Sequence, residues 1–380
     1  MKLKPKITIA DCFAQMSDPR VERTRRHKLI DIITIAICAV ICGADTWVDI
    51  ESYGQAKLKW LKRFLELPHG IPSHDTFARV FAQLNPEQFQ NCFIAWMKSI
   101  SNIIKGEVVA IDGKTLRHSY DTESGKGAIH MVSAWATENR LVLGQVKVDE
   151  KSNEITAIPE LLKVLSLNGC IVTIDAMGCQ REIVKQITEV GGDYVIALKK
   201  NQGGLYERVE ALFLEALAKR YQGFVFSSNR ESIKGHDREE TRYCMMLSNI
   251  QAQVDPEEKW LALQSVGRQD TMRVANGKTT IETRYFISSL ANNAQLLTNS
   301  IRQHWGIENS LHWVLDVAFC EDDSRIRKDN APQNFAILRH IATNLLQQEK
   351  FTKTGIKNKR LRAGWDNGYL ENILSMPKFK

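Results

Sequence analysis

No Cys-x-x-Cys pair occurs among the eight cysteines, which stand at 12, 38, 42, 92, 170, 179, 244 and 320. Such spacing excludes a zinc or disulfide framework, and several of these residues lie in apolar stretches where cysteine acts as a small hydrophobe. A reducing cytosol is the expected compartment. Nor is there an apolar run of the roughly 20 residues that a membrane span needs. The nearest candidate, Leu29 to Ala44, contains Asp31, carries charge on both flanks and begins too far from Met1 for a secretory signal. It reads as a buried helix. Internal repeats and low-complexity segments are also absent.

Several active-site signatures are missing. Asp112-Gly113-Lys114-Thr115 looks like the end of a phosphate-binding loop, but that motif needs a glycine five residues before Gly113, where Val108 stands. No Gly-x-Ser-x-Gly elbow, His-Glu-x-x-His pair or dinucleotide fingerprint is found.

What is present is an ordinary globular composition, 43% hydrophobic and 25% charged, so the 380 residues are expected to form two or three domains. The net charge of +7 permits an anionic partner without requiring one. Basic residues gather at Arg20, Arg23, Arg25, Arg26 and Lys28. They gather again between Lys350 and Lys380, at Lys350, Lys353, Lys357, Lys359, Arg360, Arg362, Lys378 and Lys380. Each cluster is either a solvated end or an anion-binding surface.

Residues 1–104 read as a helical N-terminal domain. Ser73 is a candidate N-cap, and Asn85-Pro86 separates two helices. This helix-turn-helix order suits either DNA binding or a plain bundle. Strand patterns begin at Val108 to Ile111 and continue with a hairpin, Ile129 to Thr137 and Leu141 to Val148. Lys151 to Leu167 reads as a helix, Cys170 to Ile174 as a strand, Arg181 to Val190 as a helix and Asp193 to Leu198 as a strand. That order is the ribonuclease H-like layout: an α/β fold with a mixed sheet and helices on both faces. Short strand-like segments between 222 and 290 form a β-rich insertion, helices resume to about 348, and 349–380 is expected to be a basic tail.

Three carboxylates stand out. Asp112 and Asp175 each follow an apolar strand, and Glu308 lies in a helical segment among Trp305, Asn309, His312 and Trp313. Side chains at the ends of adjacent strands can converge, and a helix packed across them can add a third oxygen ligand. Oxygen-only sites suit Mg²⁺ or Mn²⁺. Glu321, Asp322 and Asp323 compete for the third position, but Asp-Asp-Ser after an apolar run reads as a helix end. Lys114, Arg117 and His118, and Lys199 and Lys200, are candidate phosphate contacts or solvated surface residues.

The segments VVAIDGKTLRHS, KSNEITAIPELL, VTIDAMGCQREI, DYVIALKKNQ and HWGIENSLHWVLDVAFCEDDSRIRKDNAPQNFAILRHIATNLL together resemble the H-repeat-associated proteins, a branch of the bacterial insertion-sequence DDE transposases. The resemblance covers nearly the whole chain. It implies Asp112, Asp175 and Glu308 as a catalytic triad binding two Mg²⁺ or Mn²⁺ ions, DNA as partner, and a homo-oligomer on DNA. The implied activity cuts transposon ends and joins the freed 3′-hydroxyl to target DNA. Alternatives are a metal-dependent nuclease without strand transfer, or the DNA-binding relic of a decayed element. A related group carries tyrosine, arginine and lysine around its glutamate, where this chain has Ile301, His304 and Leu315. Arg302 and His304 are therefore further candidate DNA contacts, and a hairpin-forming route of cleavage is not carried over.

Overall fold

The computed structural model describes residues 9–100, 104–121, 125–149, 152–234, 238–275 and 278–375. Lys151, Lys378 and Lys380 of the segments discussed above lie outside them. Among the described residues nine strands form one mixed sheet in the order β3-β2-β1-β4-β5-β9-β8-β7-β6. The first five are β1 (Val108–Leu116), β2 (Ile129–Ala136), β3 (Leu141–Lys147), β4 (Ile171–Ile174) and β5 (Asp193–Leu198). β1 pairs antiparallel with β2, and β2 with β3, whereas β1, β4 and β5 run parallel. Parallel neighbours need crossovers, which the helices Glu154–Val164 and Arg181–Glu189 supply.

The remaining strands are β6 (Val225–Lys234), β7 (Arg238–Ser248), β8 (Ser265–Ala275) and β9 (Lys278–Ser288). They extend the same sheet, because β9 pairs antiparallel with the outer edge of β5. β6 and β7 are about twice as long as the strand-like segments Phe224–Ser227 and Arg242–Leu247 that mark them in the sequence. Most of β6 and the Lys278-to-Arg284 half of β9 are polar and stand largely in solvent, where no hydrophobic run marks a strand.

Alternation along the central strands feeds two cores. Val109, Ile111, Val172, Ile174 and Ile196 join the main core with Ile158, Leu161 and Ile183 of the crossover helices. Val108, Ile171, Val195 and Phe286 instead meet Leu297 and Ile301 of the helix Ala294–His304. Helices thus cover both faces.

The N-terminal residues are helical. Leu29–Ile41 is buried on nearly all sides, as its continuous apolar sequence requires. Ser73 caps the helix His74–Gln83, accepting from the Thr76 N–H. These helices pack on Ala331–Gln348 from the other end of the chain. Asn334 of that long helix donates to the Phe81 carbonyl at 2.8 Å, and Asn344 both accepts from and donates to the Val142 backbone at 2.8 and 2.9 Å.

The C-terminal segment expected as a basic tail contains two packed helices, Ile356–Trp365 and Asn367–Ser375. Two of its cations are structural. Arg360 is buried and donates to the Val40 and Ala44 carbonyls and to Asp45, closing the C-terminus of Leu29–Ile41. Lys359 bonds the Leu346 carbonyl and lies 3.2 Å from Glu349. Among the described residues no helix is long and apolar enough to cross a membrane, and the eight cysteines are free thiols.

Candidate active site

The pairing of β1 with β4 ends at Ile111 opposite Ile174. Asp112 and Asp175 are the next residues on the two chains, so the register alone sets them side by side at the carboxyl ends of parallel strands. β1 runs on beyond this point, paired only with β2. Asp175 leaves the sheet and caps a short turn, one carboxylate oxygen accepting from the Met177 and Gly178 N–H groups at 2.9 and 3.3 Å. Its other oxygen is not used by that cap.

Glu308 opens a π-helical turn, Glu308–His312, between Ala294–His304 and Trp313–Phe319. A π turn inserts a residue into the helical repeat and shifts the phase of the side chains beyond it. Glu308, Asp112 and Asp175 all line one cleft of about 520 Å³.

Asp112 is pushed up to about 7, first by burial. The Gly113 backbone N–H opposes the rise, while the Glu154, Glu308 and Asp175 carboxylates add to it. His312 approaches Asp112 at 3.6 Å, beyond hydrogen-bond reach. Burial, reinforced by Lys114, holds that imidazole down to about 4, so it is neutral. His304 is likewise lowered to about 4 by burial and meets the Thr173 hydroxyl at 3.1 Å.

The candidate phosphate contacts divide. Lys199 and Lys200 are exposed and line the cleft with His304. Arg302 is exposed but turns toward Glu231 of β6, 3.8 Å away, and does not line the cleft. Arg117 is 75% exposed and pairs with Asp322 at 3.1 Å. Lys114 corrects the expectation of a phosphate contact. It is 12% exposed and bound by Asp316, Glu321 and Asp322 at 2.6, 3.0 and 3.0 Å. His118 contacts the Asp322 carbonyl. The acidic turn at 321–323 is thus a partner for cations of and after β1, and Glu308 is the helical carboxylate that faces the cleft.

Two residues near the site, Arg284 and Glu154, escape a reading of motifs. Arg284 on β9 stands 5.0 Å over the Trp305 ring, and both line the cleft. The signal lay in register: β5 pairs with β9 at Leu198 opposite Tyr285, which brings Arg284 to the Lys199 end. The second is Glu154, whose carboxylate lies over Gly113, the residue after Asp112.

Among the described residues no three His, Cys, Asp or Glu side chains converge into a cage for one ion. The donor set nevertheless fits Mg²⁺ or Mn²⁺ in kind. All the carboxylates are hard oxygen donors, and Asp112 is raised by neighbours of its own sign. Mg²⁺ is usually held by one or two carboxylates together with substrate phosphates, not by a complete protein cage.

Comparison with known proteins identifies the family. Residues 10–97 match the DDE_Tnp_1-associated family and residues 104–345 the transposase DDE domain. The H repeat-associated putative transposase YhhI of Escherichia coli K12 is 44% identical over 92% of this chain and 93% of its own length. The putative transposase YncI of Escherichia coli O157:H7 is 42% identical over 97% and 94%. A shorter match, 53% identical over 15% of this chain and 68% of the relative, is to the inactive transposase YbfQ of Escherichia coli K12. On the two full-length matches and the domain match together, the chain belongs to the DDE transposase family, with the H-repeat-associated transposases as its relatives.

Proposed function

We propose that this protein cuts the ends of an insertion-sequence element and joins the freed 3′-hydroxyl to target DNA. Asp112, Asp175 and Glu308 are the residues that hold two Mg²⁺ or Mn²⁺ ions. The register that sets Asp112 beside Asp175, on the cleft that Glu308 also lines, is the observation that carries this reading. The strand order β3-β2-β1-β4-β5, with β2 antiparallel, supports a ribonuclease H-like core extended by β6 to β9. When bound, the ions supply Lewis-acid activation of the attacking oxygen and stabilise the leaving one.

The protein's own part is placement and charge. Lys199 and Lys200 put positive charge along the cleft wall, where they hold a phosphodiester in line, while Arg284 is paired with Glu282 at 2.8 Å on the same wall. His304, neutral and tied to Thr173, orients the wall without adding charge. The N-terminal helices supply further DNA contacts, and synapsis of two element ends requires a homo-oligomer.

The test is a cleavage and joining assay with purified full-length protein, Mg²⁺ or Mn²⁺, and the DNA flanking its gene. Alanine at Asp112, Asp175 or Glu308 should abolish cutting and leave the fold intact. Cutting without joining would favour a nuclease, and DNA binding without cutting a relic. Retained cutting in all three variants would refute the proposed triad.

A further inference from the structure

Gly113 follows Asp112 on β1, and the space its side chain would fill is taken. A Cβ there would lie 2.1 Å from the Glu154 Oε1 and 2.4 Å from the His130 Nε2. Glu154 stands in the first turn of Glu154–Val164, whose N-cap Asn153 accepts from the Ile155 N–H. His130 stands on β2 directly opposite Thr115 of β1. Its Nε2 is 2.7 Å from the Glu154 Oε1, and its Nδ1 is 2.9 Å from the Thr115 hydroxyl. A chain of hydrogen bonds, Thr115 to His130 to Glu154, therefore fixes a carboxylate across Gly113, at the residue after Asp112. A side chain at 113 would push the Glu154 carboxylate and the His130 ring out of these places.

An ion pair tying β2 to a helix would explain the His130 contact. It does not explain why a carboxylate is held over Gly113, one residue from Asp112, where like charge opposes folding. Repulsion of this kind becomes attraction once a cation is bound, because the ion's charge inverts the local electrostatics.

We propose that Glu154 is a positioning residue of the catalytic centre, a fourth carboxylate aimed by His130 and Thr115 that strengthens divalent-cation binding at Asp112. The inference rests on the reading of Asp112, Asp175 and Glu308 as metal ligands. Three carboxylates leave two divalent ions with surplus positive charge, and Glu154 offsets part of it. Gly113 keeps the approach open.

The test is Mn²⁺ binding to the full-length protein, followed by the electron-spin resonance of free Mn²⁺, with thermal melts in chelator and in Mn²⁺. Glu154→Gln keeps the size of the side chain and can still hydrogen-bond His130. It should weaken Mn²⁺ binding about tenfold or more, the range typical of partners behind the ligands. The same variant should melt higher than wild type in chelator at pH 8, since a like charge is gone. His130→Gln should fall between, and Glu154→Asp should recover part of the affinity. Wild-type affinity in Glu154→Gln, with loss only in Asp175→Ala, would overturn the role of Glu154 and leave the triad standing. A lower melting point in chelator would likewise mark Glu154 as structural. Undiminished binding in Asp175→Ala would instead overturn the triad reading.

Discussion

Lys114 shows how far a residue's neighbourhood can depart from its sequence. It lies two positions from Asp112, in a segment that invites a phosphate-binding role, yet its ammonium is surrounded by Asp316, Glu321 and Asp322. Those partners are some 200 residues away, and nothing local announces them. Glu321 is 2% exposed and is also 3.5 Å from the buried Arg339. Lys114→Ala leaves Glu321 with a deficit of charge in a desolvated place and should cost about 3–5 kcal/mol of stability. Urea unfolding checks this, and a variant that unfolds like wild type but binds DNA more weakly would restore the phosphate role. That Asp112 and Asp175 lie side by side was legible because each follows an apolar run, although β1 continues past Asp112 to Leu116 and only its pairing with β4 ends there. Glu154 was not legible, since its proximity to Asp112 depends on a helix crossing above Gly113.

At the scale of elements, the patterns that carried information were caps and apolar periodicity. Ser73 announced its helix, and the strand–hairpin–helix order from Val108 to Leu198 matched the observed β1 to β5. The helix Gly203–Ala218 escaped notice because it starts at Gly-Gly with no side-chain cap. Its Leu205, Val209, Leu212, Phe213 and Ala216 are spaced for one buried face. The basic C-terminus misled for a different reason: composition gives the number of cations and not which ones face inward. Arg360 reaches across to the end of Leu29–Ile41, so removal of the two terminal helices should unravel the N-terminal bundle as well. A protein truncated after Glu349 is expected to show lost helicity and rapid proteolysis by comparison with the full chain. A truncated chain melting as cooperatively as wild type would return this segment to the status of a tail.

Across the whole molecule, buried histidines govern the response to acid. Burial holds His304, His312 and His340 down to about 4. Unfolding returns each to about 6.5, so the unfolded chain binds more protons between these values. Their stabilising contribution is present above about pH 6.5 and is lost as pH falls through about 4. Asp112 runs the other way: raised to about 7, its contribution is full below the ordinary carboxylate range and is lost as pH rises through 7. His340 lies in the core of Ala331–Gln348, apart from the cleft, and offers the clean test. His340→Gln should flatten the pH dependence of unfolding free energy between pH 6 and 4.5 by up to about 1.4 kcal/mol per pH unit. An unchanged slope would mean that His340 is already protonated in the folded protein.

The central claim is that Asp112 and Asp175, where the pairing of β1 with β4 ends, hold with Glu308 the cations used to cut DNA. Its most direct measurement replaces the ligand and follows the metal requirement. Asp112→Cys offers a soft thiolate, which disfavours Mg²⁺ and tolerates Mn²⁺ better. Cleavage of DNA carrying the element's ends should vanish in Mg²⁺ and return in part in Mn²⁺. Full activity of Asp112→Cys in Mg²⁺ would contradict the account, because Asp112 would then not touch the metal.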